Sequence, residues 1–499
     1  MGVIAKQSIR GTIVTYLGIA VGIFTTFVVL TNFLTKEEIG LKQMLVDNAA
    51  FLFISLAQLG TSASIIRFYP YFREKDSEED HGFFFWALVV PFIGFLLITI
   101  IYWACSAPIA TWFGDKSPLF VEYYYFVLPI AFFMLYQAIF ESTCNVLMRI
   151  VVPRAVRELV VRIGLLVLYL LYAYRILSLD GFVIGLCLNY AIAALINLCY
   201  FFSLKRINLR PDWTFLRVNK PLVKKYLMYT GFLVVSALTT VLAPIMSSLF
   251  ITAKMGLGYT GIFAIATYMA VMVSVPYRSV TAISSPQLAR AIKEQNDEEC
   301  SHLIRQVTHN LLLIGGFILL AIWLNIDLIF SILPNGSTYA TAKYVVLILG
   351  LSQLIMATFS ICLTALNYSR FYAITLLLSL ILTVSLILLN QHLIPVYGMD
   401  GAAWSNLLSN SIYYILILLT VRLTCRWNMV DRQWLTILVL LTSIFALNYL
   451  WQTYLPIENI WLDSILRSVV LLGCGAIIAY KAQLSPEIND QIKNLKSKI

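Results

Sequence analysis

Apolar stretches of helix length, separated by short polar turns, run through the whole chain. Read between charges, turns and aromatic residues, they fall near 11–34, 49–72, 83–106, 120–143, 158–177, 182–204, 226–251, 259–284, 306–326, 341–364, 371–391, 402–424, 434–451 and 462–480. A membrane helix takes about 20 apolar residues, so each stretch is long enough to cross hydrocarbon. Ten-residue segments of alternating polarity, the mark of an outer-membrane barrel, are not the pattern. The expected fold is all-α: a polytopic membrane protein of about 14 transmembrane helices. Trp103, Trp112, Trp404, Trp434, Trp451 and Trp461 fall at or near the expected ends, where an aromatic belt belongs.

Composition narrows the classes of function. Of 499 residues, 60% are hydrophobic and only 12% charged, about half the charge of a soluble domain. A soluble enzyme is excluded, and no segment between spans is long enough to fold alone as a catalytic domain. The eight cysteines show no C-x-x-C spacing and read as small hydrophobes. His302 and His309, seven apart, are too isolated to suggest a metal, and no cofactor is expected. The opening MGVIAKQSIRG leads into an apolar run without a cleavage pattern and reads as an uncleaved first span.

Orientation follows from the bases. With span-end residues counted in the adjoining loop, the N-terminus, the even-numbered loops and the tail hold 26 of the 35 Lys and Arg, and the odd-numbered loops hold 6. Both termini are therefore expected to be cytoplasmic. The external loops are all short, the longest being Thr35 to Asn48.

An internal repeat organises the chain. Asp180-Gly181 and Asp400-Gly401 lie 220 positions apart, Gly40 and Gly261 lie 221 apart, and Gln137 and Gln353 lie 216 apart. Spans 1–6 and 7–12 are thus expected to be two copies of one unit in one orientation. The expected organisation is a lobe at 1–204, a basic cytoplasmic linker at 205–225, a second lobe at 226–424, two further helices within 425–481 and a tail at 482–499. The linker holds seven bases against one acid. Beside two cytoplasmic span ends, such charge suits anionic lipid headgroups rather than nucleic acid. Each Asp-Gly pair is expected to cap a helix and make a turn.

Two six-helix lobes, a basic linker and two extra spans resemble the polysaccharide and O-antigen flippases of the multidrug/oligosaccharidyl-lipid/polysaccharide exporter (MOP) superfamily. The textures QSIRGTIVTYLGIAVGIFTTFVVLTNFLTKEEIGLKQ, LGTSASIIRFYPYF and YGMDGAAWSNLLS carry the likeness. It implies a carrier in the bacterial inner membrane, not an enzyme, that moves a polyprenyl-pyrophosphate-linked oligosaccharide to the outer leaflet. Its cargo would be an O-antigen, capsule or exopolysaccharide repeat unit. Membrane lipids, a polysaccharide polymerase and glycosyltransferases would be its partners.

Such a carrier needs cations for a diphosphate and neutral hydrogen-bonding groups for sugars. Arg suits the first task, because its planar fork grips phosphate bidentately. Apart from the span-end residues counted with the loops, three bases lie inside the expected spans: Arg67, Arg278 and Arg467. A central charge costs about 2.5–3.5 kcal/mol on insertion scales, so each needs a reason. Arg67 and Arg278 occupy the second and eighth spans, where they are expected at matched depth, lining a cleft between the lobes. Snorkelling to the interface is the alternative. In the related lipid II flippases, arginines on the same two helices line the cavity, so the resemblance carries over by helix rather than by motif. Arg467, four residues after Asp463, reads as a local ion pair.

Gln137, Glu141, Asn145 and Arg149, at intervals of four, are expected on one polar face of the fourth span. Together with Gln353 they complete the candidate substrate-binding set. Glu141 would set the charge near Arg149, couple to protons or form a salt bridge. Arg154, Glu158 and Arg162 are expected to form a cytoplasmic salt-bridged stretch. The competing readings are a cation-coupled multidrug exporter of the same superfamily and a lipid-linked sugar polymerase or ligase. An acid-free first span speaks against the exporter, and short external loops against the polymerase.

Overall fold

In the computed structural model every regular element among the described residues is helical. The structure describes residues 14–15, 17–72, 82–147, 149–204, 210–211, 213, 220–425, 427, 431–455 and 457–485. The first apolar helix, α1 (Leu17–Phe33), ends where Leu34 turns extended. Thr35 then caps α2 (Lys36–Ala57). Its hydroxyl accepts from the Glu38 amide at 3.3 Å, while the Glu38 carboxylate accepts from the Thr35 amide at 2.8 Å. This reciprocal box satisfies two donors that a helix start leaves open.

The segment 35–48 is therefore not the external loop that hydropathy suggests. It is the first half of the second span, with Ile39, Leu41, Met44, Leu45 and Val46 buried. Lys42 and Asp47 depress hydropathy there, so the apolar run becomes continuous only from position 49. Residues Gln43–Ala50 wind as π-helix. At Leu59 and Gly60 the backbone takes φ of 46° and 68°, which ends α2, and α3 (Thr61–Phe72) resumes the helix.

The chain continues as α4 (Phe83–Ala104) and α5 (Tyr124–Val146). A π turn at Val156–Val160 leads into α6 (Val161–Ala173), followed by α7 (Leu179–Ser203) and α8 (Lys220–Lys254). Next come α9 (Leu257–Val271), α10 (Val275–Lys293), α11 (Asp297–Leu324), α12 (Lys343–Tyr368) and α13 (Tyr372–Thr424). The last two are α14 (Arg432–Tyr454) and α15 (Ile460–Lys481). Gly398, at φ 58° and ψ −131°, breaks α13 into the eleventh and twelfth expected spans. Each of the fourteen expected spans thus meets a helix. Among the described residues ten helices are long and apolar enough to cross a membrane, α13 counting once.

The Asp-Gly expectation needs correction. Ser178, not Asp180, caps α7 by accepting from the Gly181 amide. Asp180 sits in the first turn, where its carboxylate accepts from the Tyr123 hydroxyl at 2.5 Å. Near Asp400 the break is at Gly398, and Asp400 follows it at the same distance as Asp180 follows Ser178.

The helices pack as two units, residues 1–261 and 262–499. The border between them falls in α9; most of the expected linker at 205–225 lies outside the described residues. In the first unit α5 packs on α7, α3 and α2, around Phe84, Phe182 and Phe201. In the second, α10 to α13 share a core that includes Leu288, Ile304, Ile361 and Ile417. There α14 and α15 add to α11 through Leu320, Ile437, Ile444 and Leu471. Lipid is as apolar as these side chains, so close packing and internal hydrogen bonds hold the helices together rather than expulsion from water.

Candidate functional site

Arg67 projects from α3 and is exposed. Its guanidinium carbon lies 4.2 Å from the ring centroid of Tyr229 on α8. Phe68 packs edge-on against Tyr226 and Tyr229, with centroids 5.2 and 5.6 Å apart, and the Ser64 and Thr230 hydroxyls are 3.4 Å apart. The α3–α8 contact thus holds the plane of the guanidinium. A ring over one face of the fork leaves its in-plane N–H groups able to point at an anion.

Arg278 is exposed on α10. It comes 21 residues after Leu257 at the start of α9, whereas Arg67 comes 31 after Lys36 at the start of α2. The apolar run ends near Arg278, which suggested a membrane boundary, but α10 continues to Lys293.

The polar stripe on the fourth span is shorter than its spacing implied. Gln137 is buried and Glu141 and Asn145 are half-buried on α5, which ends at Val146. Arg149 lies beyond that end, its amide donating to the Cys144 carbonyl at 2.8 Å. Glu141 pairs instead with Arg157, Nη1 to Oε1 at 2.7 Å. From there a chain of charge runs through Glu158, 3.2 Å from Arg157 and 2.9 Å from Arg162. Arg162 donates to the Gly18 carbonyl of α1. A Cβ on Gly22 would stand 2.9 Å from Nη1 of Arg162, so a larger residue there would make the guanidinium shift. The expected Glu158–Arg162 pair is present, and Arg157 takes the place foreseen for Arg154. Gln353 is half-buried on α12, beside Ser352, which accepts from the Asn410 amide at 2.9 Å.

Two charged features escaped the spacing argument or gained weight. Lys42 lies inside α2, its ammonium 2.6 Å from the Asp47 carboxylate. The sequence did hold a signal, because T-K-E-E at 35–38 is the capping-box pattern that starts a helix. Arg467 pairs with Asp463 at 3.3 Å, as its spacing predicts. It is also buried and donates to the Leu324 carbonyl at the end of α11, at 2.6 Å.

Residues 8–284 match the model of the family described as polysaccharide biosynthesis protein, and the chain belongs to that family. No curated relative matches the sequence. Among solved structures, the lipid II flippase MurJ in an inward closed conformation superposes with a TM-score of 0.70 at 14% identity, covering 95% of this chain and all of its own. A multidrug resistance MATE family transporter of the MOP superfamily, inward-facing, gives 0.63 at 14% identity over 83% of this chain and 94% of its own. A MOP superfamily transporter from Pyrococcus furiosus gives 0.55 at 15%, over 85% and 95%. The fold is thus the one those transporters share, and the chain is a multi-pass membrane protein.

Proposed function

We propose that the protein is a flippase for a polyprenyl-pyrophosphate-linked oligosaccharide, an O-antigen, capsule or exopolysaccharide repeat unit. It moves this cargo from the cytoplasmic to the outer leaflet of the bacterial inner membrane by alternating access, with both termini cytoplasmic. Residues 1–204 and 226–424 act as its two related lobes. The observation that carries this reading is Arg67, a cation stacked on the Tyr229 ring and, among the described residues, not paired with a carboxylate. A fork held in this way suits a diphosphate, and Arg278 supplies a second cation. Gln137, Asn145 and Gln353 offer neutral hydrogen-bonding groups for sugar hydroxyls. Glu141, answered by Arg157, adds no net charge against an anionic cargo. The same pairing weighs against a multidrug exporter, since the embedded acids Asp47 and Glu141 each already hold a cation.

The test is a strain lacking this gene. Lipid-linked oligosaccharide should accumulate on the cytoplasmic face and surface glycan should fall, both restored by the wild-type chain. Undisturbed surface glycan, with sensitivity to cationic drugs instead, would favour the exporter.

A further inference from the structure

The Lys42–Asp47 ion pair exists because of an unusual winding. In an α-helix, residues five apart are separated by about 140° around the axis and cannot meet side by side. In a π-helix the backbone bonds run from i to i+5, which sets such residues over one another. The π segment Gln43–Ala50 does this: Lys42 meets Asp47 at 2.6 Å, and Gln43 reaches Asn48, also five on, at 3.5 Å. Asn48 in turn donates to the Ser248 hydroxyl of α8 at 2.9 Å. The Lys42 side chain keeps only 12% of its exposure and Asp47 keeps 34%.

A π turn carries one residue more than the α turn it replaces. Its relaxation to α winding would rotate Lys42 by about 100° relative to the C-terminal half of α2, parting it from Asp47. The ammonium would then be left in the membrane without its carboxylate, a state that costs several kcal/mol unless another anion answers it.

We propose that Lys42 is a further diphosphate-binding group, held by Asp47 in the conformation described and turned to the cargo when the π segment rewinds. This rests on the flippase reading given above. Arg67 lies near the far end of the same span, beyond the break at Leu59 and Gly60. The two cations thus mark successive stations along one helical path. Lys suits the later station, because a compact point charge without a bidentate fork grips phosphate less specifically than Arg.

The experiment measures binding of farnesyl pyrophosphate to the purified full chain in nanodiscs, alongside glycan export in cells. Asp47→Asn removes the carboxylate that answers the ammonium and should tighten binding about tenfold. The neutral pair Lys42→Gln/Asp47→Asn leaves no buried charge unanswered, so it keeps the fold testable even if the single variant assembles poorly. It should reach the membrane in normal amount, bind about tenfold more weakly than wild type and export poorly. Wild-type binding and export by the neutral pair would overturn the role of Lys42 and leave the flippase reading standing. A wild-type chain that binds no farnesyl pyrophosphate, in a strain whose glycan export never needed it, would remove the flippase reading and the Lys42 assignment with it.

Discussion

Gly40 and Gly261 meet backbone to backbone, and they do so reciprocally. A Cβ on Gly40 would stand 2.0 Å from the Leu257 carbonyl oxygen and 3.2 Å from the Gly261 nitrogen, and one on Gly261 would stand 2.0 Å from the Lys36 oxygen and 3.1 Å from the Gly40 nitrogen. Lys36 and Leu257 are themselves 221 positions apart, like the glycines. Two helix starts thus cross with the same residues on both sides, the self-complementary geometry of a two-fold contact.

Substituting either glycine must part the two helices. Gly40→Leu and Gly261→Leu should each destabilise the chain by about 1–3 kcal/mol, as overpacking does. The double variant should cost less than the sum, because the first substitution already opens the crossing. Thermal unfolding in detergent reads this, and strict additivity would mean that the two starts move independently.

Arg67→Ala should lower glycan export roughly ten- to hundredfold, the worth of a charged hydrogen bond to phosphate of about 1.5–3 kcal/mol. Arg67→Lys should recover only part, since it lacks the fork. Tyr229→Leu keeps the charge but removes the stack, and should fall between. Arg278→Ala tests whether a second cation is required. Equal export by all four at equal membrane levels would mean that both arginines merely snorkel.

Glu141→Gln should change export less than threefold. It removes one of two acids on the half-exposed Arg157, and Glu158 remains at 3.2 Å. Glu158→Gln should do more harm, about 1.5–3 kcal/mol of stability, because it strips both Arg157 and Arg162 of an acid where α6 meets α1. A tenfold export defect in Glu141→Gln with unchanged stability would reveal a direct role in transport.

Arg467 ties α15 to the end of α11. Arg467→Ala leaves Asp463 without its guanidinium and the Leu324 carbonyl without its donor, and should cost about 3–5 kcal/mol, as removing one half of a buried pair does. Arg467→Met with Asp463→Leu should restore most of that. Proteolysis of the α14–α15 segment measures it, and a stable Arg467→Ala protein would show that lipid packing alone retains the two helices.

Fourteen hydrophobic stretches, their helical nature and the 221-residue offset were all legible in the sequence. Helix length and hydropathy are local properties, and hydrocarbon leaves a spanning chain few alternatives. The Asp463–Arg467 pair was legible for the same reason, being four residues apart on one helix. The features that the sequence concealed depend on contacts between distant segments or on departures from regular winding. Lys42 and Asp47 looked like loop residues because hydropathy counts their charges singly, whereas in the π turn each answers the other. Glu141 was matched by spacing to Arg149, yet α5 stops at Val146 and brings in Arg157 from beyond the turn. The apolar run ends near Arg278, yet α10 continues to Lys293, because hydropathy reads the charges and not the winding. The ring beneath Arg67 belongs to α8, more than 150 residues away. Only the tertiary structure could supply it, because stacking of a guanidinium on an aromatic face is decided by which helices pack together and not by what either helix contains.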